Sequence, residues 1–418
     1  MDWPKDCGYY RVIREALLTG AMPYHVSTTY HFTDRFLALP ETNLSPQALL
    51  LRWVDDKQFA VLNVQIVYTL GFLGCLLLKR RFGMGLLSFT AFFLLFNFNG
   101  HIVSRLGVGH TIWEGYFLLS WFMLAVFALL DGHRKAPAWL ALSLFALMLQ
   151  GSLHITASCL IFLLALGLGT PRLARPLAVA VVLSGLLSAW RIVPTLGAFG
   201  SKHYPFQGGY ETCWTLVLSL VQLRPFGIEP TLAPPFPEHR WTGWWELDLY
   251  VGVPAALALL WYGVLRRGEP RYRELDVPLM VVTFLSLGYH YQPLAWLPLF
   301  NAERITSRFL ILPFLFILTL AAARLERTLP RKAWLLAGLV LLHTGLMLSM
   351  HASVWSPARV DAASGRSEYD RTVHLVRKVE PTYEAIVLAS LAGSGAVLLA
   401  TLVWVSRRSP DRASPAEP

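Results

Sequence analysis

The sequence is poor in charge. Asp, Glu, Lys and Arg make up 15% of its 418 residues, against about 25% in soluble domains. A soluble globule of this length needs more polar surface than that, which excludes a soluble enzyme, a disordered chain and a nucleic-acid module. Cysteine is scarce too: Cys7, Cys75, Cys159 and Cys213 are the four. They have neither metal-site spacing nor the pattern of a disulfide framework. No short cleavable leader opens the chain, and no internal repeat is visible.

What fills the sequence is apolar. Hydrophobic residues make up 55%, and the mean hydropathy is +0.48. A transmembrane helix needs about 20 such residues in a row. Eleven apolar segments fall near 59–78, 83–98, 112–130, 137–150, 153–169, 176–194, 249–265, 276–290, 307–323, 333–350 and 384–405. Only Gly151-Ser152 separates 137–150 from 153–169, so that pair reads either as two spans or as one re-entrant hairpin. The expected fold is an all-α, polytopic membrane bundle of about 9–11 transmembrane helices, with interfacial helices on the outward side.

The net charge of +10 is distributed as membrane proteins distribute it, so no nucleic-acid partner is expected. Lys79-Arg80-Arg81, Arg134-Lys135, Arg172/Arg175, Arg266/Arg267/Arg271/Arg273, Arg324/Arg327/Arg331/Lys332 and Arg407/Arg408 occupy every second loop. Short loops rich in Lys and Arg stay in the cytoplasm. This gives an outward first loop (1–58), spans over 59–194, an outward mid-chain loop (195–248) and spans over 249–350. An outward loop (351–383), a last span (384–406) and a disordered cytoplasmic tail (407–418) follow. Interfacial helices are expected at SPQALLLRWV and GGYETCWTLVLSLVQ. The high ratio of Arg to Lys hints at a GC-rich genome and a bacterial inner membrane. In an oxidising periplasm the outward Cys7 and Cys213 form one conceivable pair.

Ten of the twelve histidines fall on the outward side in this topology. So do Asn97, Asn99, His101, His110, Glu114, His154, Arg191, His290, Glu303, Arg304 and Arg308. Ionisable groups at spans are costly and commonly mark a cavity or a site. Longer outward loops also gather more polar residues of every kind, which is the plainer explanation for any single one of them.

The first motif runs Asp6-Cys7-Gly8-Tyr9-Tyr10, then Arg14-Glu15, then Gly20 and Pro23-Tyr24. An acid precedes an amphipathic helix that ends at Gly and Pro. Over about 20 residues this resembles the first outward loop of GT-C glycosyltransferases, polytopic enzymes that use polyprenyl-linked sugar donors. The layout of a long first loop and a mid-chain outward loop extends the similarity loosely over most of the chain. The resemblance implies a general-base role for Asp6, with Asp2 the rival and Asp34 a further acid in the same loop. It also implies a polyprenyl-phosphate-linked sugar as donor and a glycan, lipid or protein as acceptor, with inversion at the sugar carbon. Two departures stand out. Cys7 occupies the place of a second acid, and no span precedes the acid as it does in the family, so a longer native N-terminus is expected. Asp6 equally suits a helix N-terminus, where the dipole favours an acid.

Three further constellations complete the reading. His101, His110 and Glu114 fill the second outward loop, with Glu114 four residues after His110, on the same face of a helix. They suit phosphate oxygens or a divalent cation such as Mg or Mn, although their spacing matches no zinc motif. They equally suit a capped helix start at headgroup level. Glu303-Arg304-Ile305-Thr306-Ser307-Arg308 reads as an outward helix start with Ser307 as N-cap. There Arg304 and Arg308, joined by Arg191, would hold the donor phosphate, or else snorkel to lipid headgroups. Trp241, Trp244, Trp245 and Tyr250 suit sugar stacking, but an interfacial aromatic belt explains them as well. The favoured function is a membrane glycosyltransferase. Alternatives are a secondary transporter or lipid flippase, a polysaccharide ligase or polymerase resting on the 195–248 loop, and a non-catalytic membrane scaffold.

Overall fold

A computed structural model describes residues 2–27, 33–199, 206–223, 243–266, 272–297, 303–356, 359 and 373–407. Residues 200–205 and 224–242 of the mid-chain loop, Trp241 among them, and the C-terminal tail beyond 407 lie outside the described residues. The chain is an all-α bundle, and all eleven apolar segments are helical. The helices are α1 (Trp3–Thr19), α2 (Asp56–Phe82), α3 (Leu86–Phe98), α4 (Gly100–Val108), α5 (Leu119–Leu130), α6 (Ala136–Leu149), α7 (Leu153–Gly169) and α8 (Ala174–Leu187). Then come α9 (Ala189–Phe199), α10 (Cys213–Val221), α11 (Val253–Ala258), α12 (Asp276–Ser286), α13 (Gly288–Tyr291), α14 (Ile311–Thr328), α15 (Trp334–Val354) and α16 (Pro381–Ser406). Short 3₁₀ turns at Thr111–Leu118 and Thr306–Leu310 lead into α5 and α14, and a π-helical stretch at Leu259–Leu265 extends α11.

Among the described residues six helical stretches are long and apolar enough to cross a membrane, and a seventh counts if the bent pair α8–α9 is one span. This is a membrane protein. The stretches containing α5 and α14 are the most enclosed, at 83% and 78% buried, whereas α15 and α16 are only 17% buried and form the periphery. Their exposed faces carry Leu335, Leu336, Leu342, Leu399 and Leu402, as expected where lipid is the solvent.

The helix ends are built by local chemistry. Asp55 and Gln58 form a reciprocal capping box at the start of α2, which satisfies two orphan N–H groups. Lys79, Arg80 and Arg81 fill its last turn, where positive charge complements the helix dipole. The chain breaks between α3 and α4 at Asn99, whose carbonyl accepts from the His101 N–H and whose amide donates to Leu95 and Phe96. Gly100 is required there, because a Cβ would sit 2.0 Å from Asp248 Oδ1.

Polar groups sort to two ends. At one end the short basic loops meet one another: Arg81 pairs with Asp131, Arg172 with Glu274, Glu326 caps Gly85 and Ser88, and Lys135 donates to carbonyls at the end of α16. At the other end the described parts of the long loops meet. Asp2 N–H donates to Val108, Thr195 to Ala38, Gln207 to Arg304, and β1 (His25–Val26) pairs antiparallel with β2 (Leu375–Val376). The described parts of 1–58 and 195–248 therefore share one end, opposite the basic loops. The short helices Pro46–Arg52 and α10 fall within the two segments expected to be helical. All four cysteines are free, Cys7 and Cys213 included.

Candidate active site at the long-loop end

The site begins with α1. The sequence places Asp6 just ahead of a helix, but the helix already starts at Trp3, with Pro4 in its first turn and Asp2 at the N-cap position. Proline's fixed φ suits that turn, so Asp6 sits within the helix. Its carboxylate is 3% exposed. Thr111 Oγ1 donates to Asp6 Oδ2 at 2.6 Å, and Lys5 Nζ stands 3.8 Å from Oδ1. The same ammonium reaches Glu41 at 3.2 Å and Asp2 at 3.5 Å. Burial pushes the Asp6 carboxyl up to about 7; Lys5 opposes this and Glu41 adds to it. Burial alone would lower Lys5, but Glu41, Asp6 and Asp2 together hold its ammonium well above the ordinary lysine value.

Next to this acid lies a buried ionic network. Arg308 grips Glu246 in a fork, with Nε to Oε2 at 2.9 Å and Nη2 to Oε1 at 2.8 Å, and its Nη1 reaches Glu303 at 3.2 Å. His154 Nδ1 meets the other Glu303 oxygen at 2.8 Å. Arg105 Nη2 approaches Glu246 Oε2 at 2.9 Å. Trp113 lies between the cations, with the Arg105 guanidinium 4.1 Å and the Arg308 guanidinium 5.5 Å from its ring centre. Burial would raise both carboxylates, but Arg105 and Arg308 hold Glu246 well below its usual value, and His154 and Arg308 hold Glu303 below its own. His110 bridges the two halves, 3.6 Å from Asp2 and edge-on to Trp245. Burial lowers its imidazole to about 4, against the pull of Asp2 and Glu246, so it is neutral near pH 7.

The expected residues divide unevenly. Asp6, His110 and Arg308 belong to this region. The Arg308 charge is compensated by two carboxylates, which leaves little net positive charge for a phosphate. The helix start at 303–308 is also not an open anion site: Ile305 N–H donates to Glu303 Oε1, and Ser307 donates to the Glu246 carbonyl instead of capping. The chain's own acid occupies that position. Arg304 is half-buried beside it, with its carbonyl accepting from Gln207. Arg191 is fully buried but committed elsewhere, donating to the carbonyls of Leu39 and Thr42 and to the Thr42 hydroxyl. It anchors the first loop.

His101, His110 and Glu114 diverge. His101 packs edge-on to Trp113 at 4.7 Å, and Glu114 accepts from Asn63. Glu114 lies in a 3₁₀ turn, where side chains three apart eclipse, so the four-residue spacing from His110 aligns nothing. Among the described residues no three His, Cys, Asp or Glu side chains are placed to share a metal ion, and the expected cation has no fitting site in that trio. Asp34 pairs with Lys378 at 2.7 Å, away from Asp6. Trp244 and Tyr250 are 3% and 5% exposed, too enclosed for a headgroup belt or an open sugar platform. Tyr250 instead stacks on His351 at 4.8 Å.

Sequence reasoning missed Arg105, Glu246 and the Asp248–His351 pair at 2.8 Å. An Arg inside an apolar span was the one available signal for Arg105. Its Nη2 has the Glu246 contact, but its Nε and Nη1 have no hydrogen-bond partner among the described residues, and neither do His101 Nε2, Trp113 Nε1 or His110 Nδ1. Buried polar groups are normally satisfied, so this concentration within residues 101–113 marks a place built for something polar. Protein-family models, curated proteins and solved structures were compared with the chain, and none matches.

Proposed function

We propose that the protein is a glycosyltransferase of the GT-C kind, moving a sugar from a polyprenyl-phosphate donor to an acceptor hydroxyl on the long-loop side of a bacterial inner membrane. The observation that carries this reading is a carboxyl, Asp6, buried at the long-loop end against Thr111 and Lys5 and raised to about 7. A general base works best when its pKa lies close to the operating pH. In the proposed step the acceptor hydroxyl oxygen attacks the anomeric carbon, and its proton passes to Asp6. The bond from carbon to phosphate oxygen breaks, and its electron pair leaves on the lipid phosphate. A single displacement inverts the sugar carbon.

Arg105 takes the phosphate role first expected of Arg304, Arg308 and Arg191. Its Nε and Nη1 make no hydrogen bond among the described residues and Nη2 meets only Glu246 Oε2, and an arginine fork matches phosphate geometry. Charge builds on the leaving group in the transition state, so a cation with donors to spare at the same end as the base is what the reaction needs. An apolar groove of about 410 Å³ runs along the same helix as Asp6, lined by Ile13, Ala16 and Leu17 on α1 with Trp190, Val387 and Leu391 opposite. It suits a prenyl tail. The bent pair α8–α9, at 71°, would favour a transporter if it broke around a substrate, but its Arg191 is tied to the first loop.

The deciding experiment is Asp6→Asn in the full-length chain, assayed in membranes for loss of sugar from the lipid-linked pool. Expression should be unchanged and transfer should fall by on the order of 10² or more. Wild-type transfer in the variant would remove Asp6 from the reaction.

A further inference from the structure

A second groove opens at the opposite, basic end, between α2, α5 and α6. It has a volume of about 940 Å³. Helix α5 packs against both neighbours and forms the floor. Leu70 and Leu77 on α2 form one wall, and Trp139 on α6 forms the other, with Trp121 between them. These four residues are 37–42% exposed in the absence of lipid. Arg80 and His133 stand at the mouth.

Two features say what fits there. The first is depth. Leu70 and Arg80 are ten residues apart on one helix, so the groove runs for about 15 Å. That is half of a hydrocarbon core about 30 Å thick, so it matches one leaflet and is too short for a partner's transmembrane helix. The second is charge. Arg81 at the mouth is already paired with Asp131, but Arg80 has no ion pair among the described residues and faces outward at the end of α2. An apolar trench one leaflet deep with an uncompensated cation at headgroup level is complementary to an anionic lipid.

We propose that this groove binds one anionic glycerophospholipid from the leaflet at the basic end. Its acyl chains lie along α5 between Leu77 and Trp139, and its phosphate meets Arg80, with His133 alongside. The site is at the other end of the bundle from Asp6 and does not depend on the glycosyltransferase reading.

The test titrates the purified full-length chain in detergent with phosphatidylglycerol and, separately, with phosphatidylcholine of the same acyl chains. Bound lipids are counted by native mass spectrometry. Phosphatidylglycerol should fill one site ahead of all others and ahead of phosphatidylcholine. Arg80→Gln should weaken that first site about fivefold, which corresponds to about 1 kcal/mol for one cation at an anionic headgroup. Leu77→Trp, which narrows the wall and leaves Arg80 in place, should weaken it as well. Arg407→Gln, at the same end but outside the groove, should leave it unchanged. Three results would each overturn the proposal: equal affinity for the two lipids in the wild type, an Arg407→Gln loss as large as that of Arg80→Gln, or displacement of phosphatidylglycerol by polyprenyl phosphate at equal concentration.

Discussion

Arg172 and Arg308 each meet a glutamate, but at opposite ends of the bundle and on different terms. The Arg172 side chain is 66% exposed where it reaches Glu274, whereas Arg308 and Glu246 are each 5% exposed. At the basic end, charges stay near water, pair one to one and mark the side of the membrane. At the long-loop end, Arg105, Arg308, Glu246, Glu303 and His154 are packed around Trp113 inside the protein. Burying a charge is costly unless it is paired, and removing one partner leaves the other stranded. The first arrangement tolerates substitution. The second persists only if each member stays, and its least hydrogen-bonded cation, Arg105, is the one proposed to meet the donor phosphate.

The sharpest break in this contrast is Glu246→Gln. It leaves two buried guanidinium groups with Glu303 as their one remaining acid, and should cost about 3–5 kcal/mol, read as a large drop in thermal unfolding temperature. Near-wild-type stability would mean that the network is hydrated and not buried. Asp6→Asn follows in size, with its loss of transfer of on the order of 10². The pH dependence sharpens it. The base form is the carboxylate, so wild-type transfer should rise with pH and level off above about 7.

Stability runs the other way. The folded Asp6 carboxyl titrates near 7, and an unfolded one near about 3.9. Its contribution is complete below the lower value and is lost as pH rises through the higher. Asp6→Asn should therefore lose activity while melting no lower than wild type at pH 8. Arg105→Lys comes next. A point charge without the fork should raise the KM for the lipid donor about tenfold. An unchanged KM with reduced stability would assign Arg105 a purely structural role. Smallest is Arg172→Gln, where an exposed pair is worth about 0–1 kcal/mol; the expected shift in unfolding temperature is within error. A large shift there would erase the distinction between the two ends.

The bundle was legible because lipid imposes a simple rule. Each span must be apolar and satisfy its own backbone, so the eleven segments, the basic loops and the gathering of the long loops at one end follow from local composition. The site was legible in part. Asp6 and His110 stood out because polar residues near spans are rare, and Arg308 because it opens a span. What composition does not carry is partnership. Arg304, Arg308 and Arg191 look alike as outward arginines. Yet Arg308 is saturated by Glu246 from 62 positions away, and Arg191 by Thr42 from 149 positions away. Glu246 lies in a stretch whose tryptophans suggested a belt, and nothing nearby announces that it meets two cations.

The sequence by itself determined the environment of this protein and the separation of its basic loops from its long loops, because hydrophobic length and clusters of Lys and Arg act through the chain's immediate surroundings. It also determined helix termini such as the Asp55–Gln58 box and the Asn99-Gly100 break. Tertiary structure alone decided which charges are spent and which remain available. Asp6 reaches a value near 7 because packing of the first helix buries it and Glu41 lies nearby, against the lowering by Lys5, which it shares with Glu41 and Asp2, and by the Thr111 hydroxyl. Arg105 is under-bonded only because Glu246 gives its best geometry to Arg308. Desolvation and pairing depend on distance in space, and residues far apart in the chain set both.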